Sequence, residues 1–201
     1  MRVDLHLHSN YSHDGRSSLQ ELIQRCAECG LERIALTDHN TVEGALALAK
    51  IAPDLAIVGE EAKTREGEMI GLFITGRLPP YMPAEDVMDM IHDMGGLTYV
   101  PHPLDRHRAH FSTERMVELA DRIDIIETYN AWCEPAENQA AAQLAKDLGK
   151  VFATGSDSHA ASELGRSWME IEDYTTPRDF LEKLRYARHQ VTSSSGTGRR
   201  A

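Results

Sequence analysis

Short apolar runs alternate with longer amphipathic patterns along almost the whole chain, and no other sequence feature restricts its fold more tightly. Strand-like runs occupy Val3–His8, Arg33–Thr37, Leu55–Gly59, Met69–Thr75, Leu97–Val100, Ile123–Glu127 and Val151–Gly155, with a further one at Trp168–Ile171. Helical periodicity covers Leu19–Cys29, Val42–Ala49, Ala84–Met94, Thr113–Leu119, Pro135–Leu148 and Arg178–Ala187. Ser18 with Glu21 makes a capping box for the first helix, and Pro135 and Pro177 suit the first turn of theirs. Strand–helix alternation at this spacing predicts an α/β fold with a mostly parallel sheet and helices outside it. An open doubly wound sheet and a closed barrel both satisfy the pattern.

The 201 residues suit one domain, read as residues 1–192, and at 41% hydrophobic they supply a sizeable core. The small, polar, aperiodic stretch 193–201 reads as a disordered tail. A net charge of −11 argues against broad nucleic-acid binding, which needs a surplus of Lys and Arg, while leaving room for a nucleotide in a locally basic pocket. Three cysteines are too few for a disulfide framework and suggest a reducing cytoplasm. The Cys26–Cys29 pair lies within helical periodicity without a second pair, so it reads as helix packing rather than a zinc or redox motif. No apolar run is long enough to span a membrane, and no signal-peptide core precedes Asp4.

In the first strand Val3, Leu5 and Leu7 alternate with Asp4, His6 and His8. Side chains two apart share a face of a strand, so the two imidazoles point one way and the aliphatic trio the other. Paired imidazoles suit a metal ion better than a core. A polar loop follows and ends in Asp14-Gly15, where glycine permits a turn that returns Asp14 to the strand end. Asp14 is the preferred loop ligand, with His13 its competitor.

Ligand-type residues recur after other strand-like runs: Asp38-His39, Glu60-Glu61, His102, and Asp157 with His159. In parallel α/β folds the C-terminal strand ends gather on one face, where active sites form. Imidazole with carboxylate and no clustered thiolate suits zinc, manganese or iron. The set exceeds the needs of one tetrahedral ion, which predicts two or three divalent ions, with Glu61 and Asp157 as bridging or shared ligands.

These segments together resemble the PHP (polymerase and histidinol phosphatase) superfamily: Asp4-Leu-His-Leu-His-Ser with Ser12-His-Asp-Gly15, Ala35-Leu-Thr-Asp-His39, Gly59-Glu-Glu61, Val100-Pro-His-Pro103 and Gly155-Ser-Asp-Ser-His159, in the family's order. The resemblance implies a distorted (β/α)7 TIM-like barrel with a trinuclear metal site at the C-terminal strand ends. It implies one ion held by His6, His8, Glu61 and Asp157, a second sharing Glu61 and using His102, and a third using Asp14 or His13 with His39 and His159. Some relatives supply another His where this chain has Glu127-Thr-Tyr-Asn130, leaving Asn130 as a weak or water-mediated ligand.

The expected reaction is hydrolysis of a phosphoester, in a small phosphorylated metabolite or a nucleotide, by metal-activated water. No Gly-x-Ser-x-Gly elbow and no P-loop offers a different chemistry. Arg106 is favoured over Arg108 as a phosphate binder, with Arg166 the second candidate, and Asp4 and Asp38 could orient neighbouring histidines. The rival enzyme reading is an amidohydrolase-type barrel, against which stand the Asp14-Gly15 loop and the lack of a lysine at a bridging position, Lys63 being the near miss. A rival of another class is a non-catalytic metal-binding or regulatory domain.

Overall fold

The computed structural model describes residues 1–191, so the tail expected at 193–201 lies outside the described residues. Nine strands, β1 (Arg2–Leu7), β2 (Arg33–Leu36), β3 (Ala56–Lys63), β4 (Glu68–Leu72), β5 (Leu97–Val100), β6 (Ile125–Asn130), β7 (Val151–Gly155), β8 (Ser167–Glu170) and β9 (Arg188–Val191), form one sheet. Among the described residues six α-helices accompany them: α1 (Leu19–Cys29), α2 (Glu43–Ile51), α3 (Ala84–Asp93), α4 (Thr113–Glu118), α5 (Pro135–Asp147) and α6 (Pro177–Leu184). The strand order is β7-β6-β5-β4-β3-β2-β1-β8-β9.

The end of β7 returns to β1. Asp157 N–H donates to the His6 carbonyl at 2.8 Å and His8 N–H to the Ser158 carbonyl at 2.7 Å. This seam curls β1 to β7 into a nearly closed, distorted TIM-like barrel, with β8 and β9 continuing beyond β1. One apolar cluster joins Leu36, Val100 and Ile126 to Leu22, Leu48, Val87, Met116 and Ala145 of α1 to α5. A second joins Val3, Leu5, Ile57, Tyr99 and Ile125 to Phe180 and Leu184 of α6. Each such large side chain contributes about 1.5–3 kcal/mol on burial, so α6 seals the second cluster as α1 to α5 seal the first.

Local signals act as expected at several ends. Ser18 and Glu21 form a reciprocal capping box, and Gly30 closes α1 at φ 72°. The expected mostly parallel sheet needs correction: β1–β2, β2–β3, β5–β6 and β6–β7 are parallel, but β3–β4, β4–β5, β1–β8 and β8–β9 are antiparallel. The cause at β3 is a tight turn, in which the Thr64 hydroxyl accepts from Glu66 N–H at 3.2 Å and Gly67 N–H at 3.1 Å. A turn this short permits only an antiparallel return. The last helix stops at Leu184, and β9 is a largely exposed edge strand without apolar alternation. Among the described residues no helix is long and apolar enough to cross a membrane. Cys26 packs in the core of α1 and the Cys29 thiol faces the Cys26 carbonyl.

Candidate metal centre

β1 presents His6 and His8 to a single buried point. Their Nε2 atoms lie 3.3 Å apart. The Glu61 Oε2 stands 3.2 Å from His6 Nε2 and 3.4 Å from His8 Nε2, while Asp157 Oδ1 stands 3.6 Å and 3.2 Å from the same two atoms. Ligands about 2.0–2.1 Å from a tetrahedral ion are separated by roughly 3.3–3.4 Å. These separations therefore match five edges of such a tetrahedron. Asp157 Oδ1 and the ring Nδ1 of His8 and His102 are buried without a hydrogen-bond partner. Asp157 Oδ1 is the orphan that faces the histidine Nε2 atoms, and burying such a carboxylate oxygen without a partner is costly unless a cation joins it to them, so the residues fit a metal centre.

Glu61 lies within β3, which runs on to Lys63, rather than after the strand. Its Oε1 reaches His102 Nε2 at 3.1 Å and its Oε2 reaches His39 Nδ1 at 3.2 Å. One carboxylate thus touches four imidazoles, the geometry of a shared ligand. On the far side, Asp14 Oδ2 lies 3.0 Å from His159 Nε2 and 3.5 Å from His39 Nε2. Gly15 makes that loop feasible, because a Cβ there would fall 1.8 Å from the Ser9 carbonyl oxygen. His13, with its side chain 79% exposed, turns outward. His102 and Asp157 have φ of 29° and 49°, a left-handed backbone that non-glycine residues adopt rarely and mainly where the surroundings hold it.

Glu127 emerges as a residue the sequence did not single out. Its Oε1 lies 3.0 Å from His6 Nδ1. Asp4 and Asp38 take other parts. Asp4 accepts from the Ser156 and His6 N–H groups, and Asp38 from the N–H and hydroxyl of Ser9. Asn130 also departs from its expected part: its oxygen accepts from Trp132 N–H at 2.9 Å, and its nitrogen faces Glu127 Oε2 and Asp157 Oδ2 at 2.9 and 3.2 Å. Those partners fix the amide's orientation, and Asn130 offers the centre a donor. Glu68 on β4 is a second addition, with Oε2 3.8 Å from His102 Nε2 and a place beside His39 and Glu61.

Electrostatics follow this crowding. Burial, with His39 and His159 nearby, pushes His8 down to about 3, keeping its imidazole neutral. Burial alone would lower His39 as well, but Glu61 and Asp14 raise it to about 9. Burial opposes charge on Glu61 and Asp157. The rings of His39 and His6 nevertheless hold Glu61 well below the usual carboxylate range, and Arg108 with His6 does the same for Asp157.

Above the cluster opens a cavity of about 510 Å³, lined among others by Asp14, Lys63, Glu68, His107, Arg108 and Trp132. The preference for Arg106 is corrected. Its side chain is 69% exposed and bonds Glu137 on α5 at 3.0 Å, and it is not among the residues that line the cavity, whereas Arg108 is. Arg108 instead pairs with Asp157 and stands 3.4 Å from Asp105. Arg166 lies with its guanidinium 5.1 Å from the centroid of the Trp132 ring, whose Nε1 donates to the Asp157 carbonyl.

A barrel with imidazoles and carboxylates converging at strand ends is the arrangement of a metal-dependent hydrolase. The model of the PHP domain matches residues 4–155, and that of a PHP-associated region matches residues 135–188. The chain belongs to the PHP family. An uncharacterised protein of Methanocaldococcus jannaschii is 31% identical over 92% of this chain and 79% of its own length. A protein of Thermotoga maritima named as a probable histidinol-phosphatase is 25% identical over 84% of this chain and 89% of its own. Among solved structures, a two-domain protein of Bacteroides vulgatus containing a predicted PHP-like metal-dependent phosphoesterase superposes with a TM-score of 0.78. It shows 17% identity over 95% of this chain and 64% of that one.

Proposed function

We propose that this chain hydrolyses the phosphoester of a small metabolite or nucleotide, using two or three divalent ions of manganese, zinc or iron. The observation that carries the reading is the tetrahedral spacing of His6, His8, Glu61 and Asp157. His102, His39, His159 and Asp14 surround it as the further ligands, linked through Glu61 and Asp157. Such ions, when bound, activate water and offset the charge of phosphoryl oxygens. The cavity size suits a small ligand. Arg108 supplies a guanidinium at the cavity wall, where it can take a phosphoryl oxygen in a fork. Lys63 adds a second cation on the same wall. The Thermotoga maritima relative's name agrees with a small phosphorylated substrate. The three free cysteines accord with a reducing cytoplasm.

The test is a phosphatase assay on protein loaded with manganese, zinc or iron, offering nucleotides, sugar phosphates and histidinol phosphate. Release of phosphate that depends on the added metal is expected. Inactivity on every phosphoester with two or more ions bound per chain would sink the reading and favour a non-catalytic metal-binding domain.

A further inference from the structure

Four donors converge on the buried carboxylate of Glu127. Oε1 accepts from the Tyr99 hydroxyl at 2.8 Å and lies 3.0 Å from His6 Nδ1. Oε2 accepts from the His102 N–H at 2.7 Å and from Asn130 Nδ2 at 2.9 Å. An ionised carboxylate accepts and cannot donate, so the His6 Nδ1 that faces it carries the hydrogen. Nε2 is then the ring atom turned towards His8, Glu61 and Asp157. The other oxygen holds the peptide of a residue at φ 29°, whose ring reaches the opposite oxygen of Glu61.

We propose that Glu127 is a positioning residue of the metal centre, setting the ring of His6 with one oxygen and the backbone that aims His102 with the other. The His6 and His102 rings, 5.7 Å apart by centroid, are thereby fixed relative to each other through one side chain. Tyr99 and Asn130 hold the carboxylate in that pose. Gly155 leaves the room it needs, since a Cβ there would fall 2.3 Å from Glu127 Oε1. The inference rests on the metal centre proposed above and requires nothing of the substrate.

The test compares zinc affinity, by competition with a chelator, in the full chain and its Glu127→Ala, Glu127→Gln and Tyr99→Phe variants. The His6 Nδ1–H is followed in parallel by nitrogen-15 NMR. Glu127→Ala should weaken zinc binding by about 10–100-fold and remove the His6 Nδ1–H signal through exchange with water. Glu127→Gln keeps one acceptor oxygen for His6 but sets an amide NH2 against His102 N–H, so it should retain the signal and bind zinc with intermediate affinity. Tyr99→Phe, which removes one donor to Oε1, should shift the signal. If Glu127→Ala does not fold, the other two variants decide the matter. Wild-type zinc affinity in Glu127→Gln, or a His6 signal indifferent to Tyr99→Phe, overturns the proposal. Neither readout involves turnover, so a failed phosphatase assay leaves this result legible on its own.

Discussion

Asp14 and His159, 145 positions apart, meet at 3.0 Å between Oδ2 and Nε2, and the same carboxylate oxygen lies 3.5 Å from His39. A loop residue thereby joins the ends of β2 and β7 in one cluster. Asp14→Ala should lower metal-dependent phosphate release by on the order of 100-fold and reduce bound metal in elemental analysis. His13→Ala, at an outward side chain, should change neither. A loss in His13→Ala with none in Asp14→Ala would transfer the role to His13.

Arg108 and Arg106 differ by direction rather than by charge. Arg108→Ala should reduce kcat/KM by about 100-fold, because it removes the guanidinium beside Asp157 on the cavity wall. Arg106→Ala removes an exposed guanidinium that pairs with the largely buried Glu137 and does not line the cavity, and should leave kcat/KM within about 2-fold. Steady-state kinetics on both variants decides between them.

Gly155 is confined by Glu127 on one side and His6 on the other, where a Cβ would sit 2.3 Å from Oε1 and 2.5 Å from the His6 Cβ. Gly155→Ala should therefore destabilise the fold by about 1–3 kcal/mol, the cost of overpacking a tight interior. Denaturant unfolding measures this, and an unchanged midpoint would show that the strand can give way.

Metal should stabilise as well as catalyse. Glu61 and Asp157 are buried among rings that a cation would organise, and a ligand that binds only the folded state raises its melting temperature. Chelation followed by calorimetry should lower Tm, and zinc or manganese should restore it where magnesium, which prefers oxygen ligands, does not.

Glu60, beside Glu61, has the opposite orientation and a different fate. Burial pushes its carboxyl up to about 7 from an ordinary 4.5, although its Oε2 accepts from Leu78 N–H. The folded state thus holds a proton that the unfolded chain has released, so this contribution is complete below about 4.5 and declines as pH rises through about 7. Glu60→Gln should flatten that decline in chemical denaturation between pH 5 and pH 8, read against wild type. An unaltered slope would contradict the assignment.

Where local periodicity dominates, the sequence is directly readable. The alternation of Val3 to His8 announces a strand with both histidines on one face, and the Ser18–Glu21 box announces α1. The candidate ligands could be read because each stands at or near a strand end with a distinctive side chain. Glu127 also closes a strand-like run, but its part rests on partners from three strands, which no single run displays. A register shift between Glu127 and Tyr129 further breaks the period that would separate Glu127 from Asn130. Arg108 was hidden for a geometric reason. Hydrogen bonds from Asp105 N–H to the His102 carbonyl and from Arg108 N–H to the Asp105 carbonyl turn the chain back over the site. Nearness in sequence therefore misjudges direction. The β3–β4 hairpin depends on the Thr64 hydroxyl, a local bond that hydrophobic patterning does not register.

The seam between β1 and the end of β7 has a consequence for assembly. His6 and Ser156 stand 150 positions apart, and contacts of such separation incur their loop-closure entropy before they return any stabilisation. The peptide units that complete the ring, at His6, His8, Asp157 and Ser158, belong to or adjoin proposed ligands. The complete ion-binding cluster therefore exists only in a chain whose ring has closed, and the stability of that closure and the integrity of the cluster are one and the same property.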